Sequence, residues 1–278
     1  RLAPYLPSEP VLKRPVFIVG CGRSGTSIIG RLLQEHLNVV YLHEPREVWL
    51  EDPRTDIWSA EAAARNGHLI LKASDVTPAL TRTLRRRFAT AVWRSSSGFF
   101  ETVRLVEKTP INGFRIPYIR SVFPDAQFIH IIRHGLEVAH SIGEVSNRWN
   151  WFGEDSHKWR LLRAVAERRG YESWVNACRT NVHRGALEWR LAVETVSDQF
   201  DKLPEASTTT LRYETLLSTP SRTACKVQED VDLNPSSAVR KFAVETVERK
   251  TFSVRDLDTD DTTREIIKPL LRRFGYEW

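Results

Sequence analysis

Apolar positions near the start of the chain change from a continuous run to a helical spacing. Residues 16–19 (VFIV) form an apolar run of strand length, and residues 20–25 (GCGRSG) form a glycine-rich turn. The apolar side chains that follow are spaced as on one face of a helix, at Ile28, Ile29, Leu32 and Leu33. The pattern therefore predicts a strand, a tight turn and an amphipathic helix.

Short apolar or β-branched runs recur along the chain and predict further strands. They lie at residues 38–41 (NVVY), 68–72 (HLILK), 104–107 (RLVE), 127–133 (QFIHIIR) and 208–213 (TTTLRY). Helical spacing begins at Pro78 and again at about Leu136. Strands that alternate with helices form parallel sheets covered by helices on both faces. We therefore predict an α/β protein with a P-loop-like three-layer fold, forming a single domain over residues 1–278.

Residues 144–190 break this alternation and predict a helical insertion after the strand at 127–133. The segment is rich in arginine and carries Trp149, Trp151, Trp159, Trp174 and Trp189. One interpretation is that these tryptophans form the core of the inserted helices. The other is that some of them line a substrate cleft, where large flat rings suit sugars or aromatic acceptors. The pattern leaves both open.

Composition narrows the class of protein only slightly. The 278 residues carry a formal net charge of +6, which indicates either surface solubility or an anionic ligand or acidic substrate. Cys21, Cys178 and Cys225 are odd in number and widely spaced, so they predict neither a disulfide framework nor a zinc site. We expect a reducing, cytoplasmic environment, with no transmembrane segment, no signal peptide and no nucleic-acid partner.

The glycine-rich turn has the spacing of a phosphate-binding loop but lacks one of its residues. Gly20 and Gly25 are separated as in a nucleotide P-loop. Thr26 stands where that loop has lysine, and Arg23 lies inside the turn instead. A strand, a glycine turn and a helix N-terminus direct backbone N–H groups at a phosphate. The turn therefore predicts an anion site that differs from the ATP-binding loop.

A second predicted anion site lies after the strand at 127–133. Arg133 stands at the carboxyl end of that strand, and Ser141 follows on the next helix. Ligands of open parallel sheets bind outside the carboxyl ends of the strands, so Arg133 should lie at the same edge as the glycine turn. An arginine fork with a neighbouring hydroxyl suits a phosphate group.

The segments GCGRSGTS and IIRHGLEVAHS together resemble the two cofactor-binding motifs of sulfotransferases that use 3′-phosphoadenosine 5′-phosphosulfate (PAPS). The resemblance is to bacterial members and, in motifs, to the tyrosylprotein and glycan branches. It implies that the first motif cradles the 5′-phosphosulfate through Arg23, Ser24, Gly25, Thr26 and Ser27. It also implies that Arg133 and Ser141 hold the 3′-phosphate.

Three further segments extend the resemblance along the chain. VEKTP at residues 106–110 resembles a segment whose lysine, here Lys108, faces the transferred sulfonate. TLRYETLLSTP at 210–220 is similar to a late-strand motif of bacterial members, and REIIKPLLRRFGYEW at 264–278 resembles their terminal helix. Before that helix the family has a basic loop that closes over the nucleotide. Arg255 is the candidate cofactor-binding residue of this loop.

The catalytic base is expected in the segment YLHEPREVW at residues 41–49. In the tyrosylprotein and glycan branches a glutamate at this place is the base, so the resemblance implies Glu44 in preference to the adjacent His43. Such a carboxylate would need a pKa raised by burial. Arg23 and Lys108 are the candidates for stabilising charge on the transferred group, which makes a metal ion unnecessary.

Two other functions compete with sulfonate transfer. A P-loop nucleotide kinase or NTPase would have lysine at Thr26, and it would leave Arg133 and Ser141 without a role. A non-catalytic nucleotide-binding module would keep both loops but would not need Glu44 or Lys108. The acceptor is a hydroxyl or amine on a glycan, peptide, lipid or small metabolite. The sequence leaves this choice and the oligomeric state open.

Overall fold

The computed structural model describes residues 12–96, 103–247, 257 and 259–277. Within these ranges, one sheet contains β1 (Val16–Gly20), β2 (Val39–His43), β3 (Arg104–Lys108), β4 (Gln127–Ile132) and β5 (Thr208–Arg212). The helices are α1 (Thr26–Gln34), α2 (Arg46–Trp49), α3 (Pro78–Ser95), α4 (Ile116–Val122), α5 (Gly135–Ser146), α6 (His157–Arg168), α7 (Glu172–Ala177), α8 (Asn181–Phe200), α9 (Tyr213–Ser218), α10 (Pro220–Asp230), α11 (Ser237–Thr246) and α12 (Asp261–Arg273). None of the helices in these ranges combines the length and apolar character needed to cross a membrane.

Strand β1 shows why the sheet is covered on both faces. Its side chains alternate between the faces, as they do in any strand. Val16 and Ile18 pack in one buried cluster with residues of α1, α10 and α11. Phe17 and Val19 pack in another, with residues of α3, α4 and α8. The three layers confirm the predicted α/β fold.

The parallel pairing brings the carboxyl ends of these five strands to one edge. The sheet runs β2-β3-β1-β4-β5, and every neighbouring pair is parallel. Strand β1 therefore lies between β3 and β4, with Ile18 opposite Lys108 and Gly20 opposite Ile131. Ligands of open parallel sheets bind at such an edge, where the strand order reverses. The two segments predicted to bind anions both begin here.

The strand predicted at residues 68–72 is wrong. This segment forms no ladder with the sheet, although Leu69 and Leu71 are both buried. The two leucines anchor it to different apolar clusters, which explains the strand-like spacing. The backbone carbonyls of His68 and Leu69 accept hydrogen bonds from the guanidinium of Arg115 rather than from another strand. A buried arginine thus satisfies polar groups that a sheet would otherwise satisfy.

The predicted helical insertion at residues 144–190 lies between β4 and β5. It includes α6, α7 and the first half of α8, which continues beyond it to Phe200. Trp159 and Trp189 are buried in the apolar core, as the first interpretation of the tryptophans requires. Trp149, in contrast, is 73% exposed. The tryptophans of this segment therefore divide between core and surface.

Candidate active site

The turn between β1 and α1 depends on two glycines. Gly25 has a φ of 92°, in the left-handed region, and a Cβ there would lie 2.4 Å from the Tyr213 ring. A Cβ on Gly22 would lie 2.6 Å from the ring of Trp151. Arg23, between them, also has a positive φ, of 71°. The turn is therefore packed too closely for side chains at either glycine.

The same turn presents polar groups that lack a partner. Helix α1 begins at Thr26 without a side-chain cap, and the first N–H groups of a helix have no partner within it. Ser24 is fully buried, and its hydroxyl forms no hydrogen bond in the part of the chain described. The partial positive charge at the N-terminus of α1 also favours a negatively charged ligand here. These groups fit an anion such as a phosphate or phosphosulfate.

The structure brings Arg133 and Ser141 against the glycine turn, as the topology predicts. The Nε of Arg23 donates to the Ser141 hydroxyl at 2.9 Å, and Nη1 of Arg133 donates to the Arg23 carbonyl at 3.4 Å. Arg133 also pairs with Glu137, at 2.6 Å from Nε, and lies 4.8 Å from the centre of the Tyr213 ring. Arg23 thus contacts the second predicted anion site rather than only its own loop.

Glu44 and Lys108 form an ion pair at the adjoining edge of the sheet. The Nζ of Lys108 donates to Oε1 of Glu44 at 2.6 Å, and Arg46 donates to Oε2 at 3.1 Å. Lys108 is almost completely buried at the end of β3. Glu44, just beyond β2, has a φ of 47°, an uncommon value for a residue with a side chain. Sequence reasoning missed Arg46, although it belongs to the same HEPR segment.

The pKa of Glu44 differs from the expectation of a raised value. Partial burial alone would raise it, but the hydrogen bond and charge of Lys108 oppose this effect. Together with Arg46, they hold the pKa of the carboxyl below its ordinary value. The predicted increase is therefore wrong for this structure. The sequence could not reveal it, because the two residues are 64 positions apart and meet only through the pairing of β2 with β3.

The other candidate base, His43, lies beside helix α1. Its Nε2 is 3.5 Å from the Ser27 hydroxyl. Partial desolvation, followed by the charge of Lys108, lowers the pKa of the imidazole and favours its neutral form. His134 has a different position, at the start of α5, where its Nδ1 accepts from the backbone N–H of Leu136. His134 therefore caps a helix.

A buried carboxylate that sequence reasoning missed supports the end of β3. Glu107 accepts hydrogen bonds from Trp49 Nε1 at 3.0 Å, from the Thr109 hydroxyl, and from the Asn112 amide at 3.4 Å. Burial raises its pKa to about 7 in spite of these donors. These hydrogen bonds hold Glu107 and Thr109 in place, and these are the residues on either side of Lys108.

A cavity of about 440 Å³ lies beside Glu44. It is lined by Gly22, Glu44, Arg46, Trp58, Thr109, Pro110, Ile111, Trp149, Asn150, Trp151, Glu154, Lys158 and Glu188. It therefore joins the glycine turn to the ends of β2 and β3. The volume is in the range of small-molecule sites. Trp149 and Trp151 line this cavity, as the cleft interpretation of the tryptophans expects. Both lie in the loop before α6.

Comparison with known proteins identifies the family. A model of the sulfotransferase family matches residues 15–236. The chain belongs to the sulfotransferase family. A curated relative, nodulation protein NoeE of Sinorhizobium fredii (strain NBRC 101917 / NGR234), is 27% identical over 135 residues. That match covers 45% of this chain but only 30% of NoeE.

Solved sulfotransferases share the fold of this chain at low identity. The sulfotransferase domain of the Synechococcus PCC 7002 olefin synthase matches with a TM-score of 0.63 and 15% identity, over 96% of this chain and 97% of its own. Sulfotransferase STF9 from Mycobacterium avium matches with a TM-score of 0.59 and 14% identity, over 99% and 79% of the two chains. The P-loop-like arrangement of the sheet is therefore that of a sulfotransferase.

The C-terminal segment of this sulfotransferase is hydrogen-bonded to the edge that carries the predicted anion sites. The Tyr276 hydroxyl donates to Glu214 at 2.7 Å, and Glu214 accepts from the backbone N–H of His134 at 2.9 Å. The Tyr276 hydroxyl also lies 3.2 Å from the Ile132 carbonyl, at the end of β4. The late-strand motif and the terminal helix thus hold the segment that carries Arg133. Arg255, the basic-loop candidate, lies outside the described residues.

A buried ion pair that lines the same cavity as Gly22 should contribute strongly to the free energy of unfolding of this sulfotransferase. Lys158 and Glu188 pair at 2.7 Å with side chains that are each 3% exposed. We expect Glu188→Leu to lower the free energy of unfolding by about 3–5 kcal/mol, because Lys158 keeps a buried charge without its partner. Urea unfolding followed by circular dichroism measures the change.

A double variant and a surface pair test the cause of that loss. Adding Lys158→Met to Glu188→Leu removes the unpaired charge and should recover most of the stability. Glu167→Gln, which breaks the half-exposed pair with Arg163, should cost less than about 1 kcal/mol. A double variant as unstable as Glu188→Leu would contradict the ion-pair explanation and would indicate lost packing around Trp151.

Proposed function

We propose that this protein transfers the sulfonate group of PAPS to a hydroxyl or amine of an acceptor, with Glu44 as the base. One observation carries the proposal: the glycine turn before α1 is flanked by the Arg23–Ser141–Arg133 cluster on one side and by the Glu44–Lys108 pair on the other. Membership of the sulfotransferase family supports the reaction type. The donor and the roles of the residues are our inference.

The turn and the cluster suit the two ends of the donor. The N-terminus of α1 and the hydroxyls of Ser24, Thr26 and Ser27 suit the 5′-phosphosulfate. Arg133 and Ser141 suit the 3′-phosphate, because a guanidinium fork and a hydroxyl bind phosphate oxygens directly. Arg23 connects the two ends through its hydrogen bond to Ser141. A Walker lysine is absent at position 26, so cationic side chains must supply the charge stabilisation.

The Glu44–Lys108 pair suits an in-line displacement at sulfur. Glu44 borders the cavity in which the acceptor would lie, so its carboxylate can take the proton of the attacking group. Lys108 can stabilise the charge on the transferred sulfonate and the leaving phosphate oxygen. When Lys108 directs its charge to the sulfonate, Glu44 loses its main counter-charge and its pKa rises. The pair therefore provides a base that strengthens once the donor is bound.

Donor recognition predicts a specific pattern of thermal stabilisation. The product 3′-phosphoadenosine 5′-phosphate (PAP), at about one hundred times its Kd, should add about 2.7 kcal/mol of stability and raise Tm by roughly 5–10 °C. AMP, ADP and Mg-ATP should give much smaller shifts, because they lack the 3′-phosphate. Differential scanning fluorimetry measures these shifts. Equal shifts with AMP and PAP would remove the 3′-phosphate assignment, and a larger shift with Mg-ATP would favour the kinase alternative.

Variants of the cluster locate that preference. Arg133→Ala should remove roughly 1.5–3 kcal/mol of PAP binding while leaving AMP binding nearly unchanged. Ser141→Ala should have the same direction and a smaller size, because a neutral hydrogen bond is weaker than a charged one. Arg31→Ala, at an exposed position on the outer side of α1, is the matched control. A uniform loss for PAP and AMP would place the 3′-phosphate elsewhere.

A further inference from the structure

We propose that the acceptor is a neutral carbohydrate, held in the cavity beside Glu44 by stacking on tryptophan rings. This inference rests on the proposed function, because it concerns the acceptor side of the same site. It follows from the shape, polarity and charge of the residues that line the cavity. The rings favour a flat sugar, and the polarity and the charge of the lining each exclude a different class of acceptor.

Three indole rings border the cavity, and two of them are held in place. Trp151 donates from Nε1 to Glu188 at 2.8 Å, and the Lys158 ammonium lies 4.4 Å from the centre of its ring. The Arg46 guanidinium lies 4.1 Å from the ring of Trp58. Trp149 is 73% exposed, an unusual state for the largest apolar side chain. Such rings provide flat apolar surfaces for the C–H faces of a sugar.

The polar groups between the rings suit hydroxyl groups. Asn150 donates to Glu154 at 2.9 Å, and both line the cavity together with Arg46. Amide, carboxylate and guanidinium groups are planar and offer adjacent donors or acceptors. Ile111 and Pro110 supply the aliphatic part of the lining. A steroid or alkyl acceptor would cover these polar groups without hydrogen bonds, at a cost in free energy.

The charges of the cavity do not favour an anionic acceptor. Among the described residues that line it, the cations are Arg46 and Lys158. Arg46 pairs with Glu44 at 3.1 Å, and Lys158 pairs with Glu188 at 2.7 Å. Glu154 adds a further negative charge to the lining. An acidic peptide or an acidic glycan would therefore meet more carboxylates than cations. A neutral sugar meets no such repulsion.

Binding measured without the donor tests the acceptor class. The purified chain would be applied to an array of neutral, sulfated and uronic-acid-containing glycans. Saturation-transfer difference NMR would then compare the best glycan with 4-nitrophenol, 1-octanol and an acidic tyrosine-containing peptide. We expect saturable binding of at least one neutral glycan. Binding of no neutral glycan, or stronger binding of an acidic glycan, phenol, alkanol or peptide, would overturn the proposal.

A matched pair of tryptophan variants links that binding to the cavity. Trp149→Ala should weaken binding of the neutral glycan about tenfold, the size expected for a lost stacking platform. Trp93→Ala, on helix α3 and outside the cavity lining, should leave the affinity unchanged. Equal effects of the two variants would count against the stacking site.

The PAP-induced shift in Tm separates this inference from the proposed function. If PAP stabilises the protein and no neutral glycan binds, the carbohydrate inference fails and the donor assignment stands. If a neutral glycan binds and PAP does not stabilise the protein, the donor assignment fails and the carbohydrate site stands as a binding site. The two measurements therefore cannot be confused.

Discussion

Replacing Glu44 by glutamine should slow sulfonate transfer by about 10²–10⁴-fold, the range for losing a general base. Glutamine keeps the size of the side chain and can still accept from Lys108, so the fold and the PAP-induced shift should remain. The loss should appear in kcat rather than in the affinity for the donor, because the carboxylate acts on the acceptor proton. Transfer of radiolabelled sulfonate from PAPS to the acceptor measures the rate.

Two controls make the Glu44→Gln result specific. Glu47→Gln, three residues along and exposed on α2, should retain the wild-type rate. His43→Gln should lower the rate far less than Glu44→Gln, because His43 faces Ser27 and is not part of the cavity lining. If His43→Gln abolishes transfer and Glu44→Gln does not, the histidine is the base and the glutamate is a structural partner of Lys108.

Much of the fold could be predicted because local pattern and topology agree at this edge. The run at residues 16–19, the glycine turn and the helix after it are consecutive in sequence, so their arrangement follows from local geometry. Arg133 could be placed near the turn because parallel strands share a carboxyl edge. The strand prediction for residues 68–72 failed because alternating buried residues do not determine which groups form hydrogen bonds with the backbone. Arg115 supplied the partner there.

The chemistry of the site was less predictable because it depends on pairs from distant segments. Glu44 and Lys108 could each be proposed from a motif, but nothing in either motif indicates that they pair. The pairing reverses the expected direction of the Glu44 pKa. Trp58 lacks a local signal altogether and becomes part of the cavity only through packing. Trp149 and Trp159 lie in the same arginine-rich segment. Only their exposed fractions in the structure show that the first is at the surface and the second in the core.

Replacing Lys108 by methionine should lower the transfer rate by about 10²–10³-fold, the range for removing one preorganised group that stabilises developing charge. Methionine is long and unbranched, so it suits the nearly inaccessible space that Lys108 occupies. Lys108→Arg keeps the positive charge and should retain part of the rate. A wild-type rate in the Lys108→Met variant would show that Lys108 has no role in the reaction.

The pH profile of Lys108→Met tests whether Lys108 also sets the state of the base. Glu44 is active when deprotonated, and Lys108 and Arg46 hold its pKa below the ordinary value. In the wild type, kcat/KM for PAPS, which reports the free enzyme, should therefore fall only at strongly acidic pH. Without Lys108, burial acts against Arg46 alone, so the pKa rises and the acidic limb moves to higher pH. The limb should stay in place in Lys108→Arg.

Combining the two variants separates the roles of the pair. If Lys108 acted only by holding Glu44, Lys108→Met would add nothing to Glu44→Gln. If it also stabilises the sulfonate, the double variant should be slower than Glu44→Gln, yet faster than the product of the single effects predicts. Because the ion pair joins the ends of two neighbouring strands, this intermediate outcome is expected: one cation serves the base until the donor binds and the transferred group afterwards.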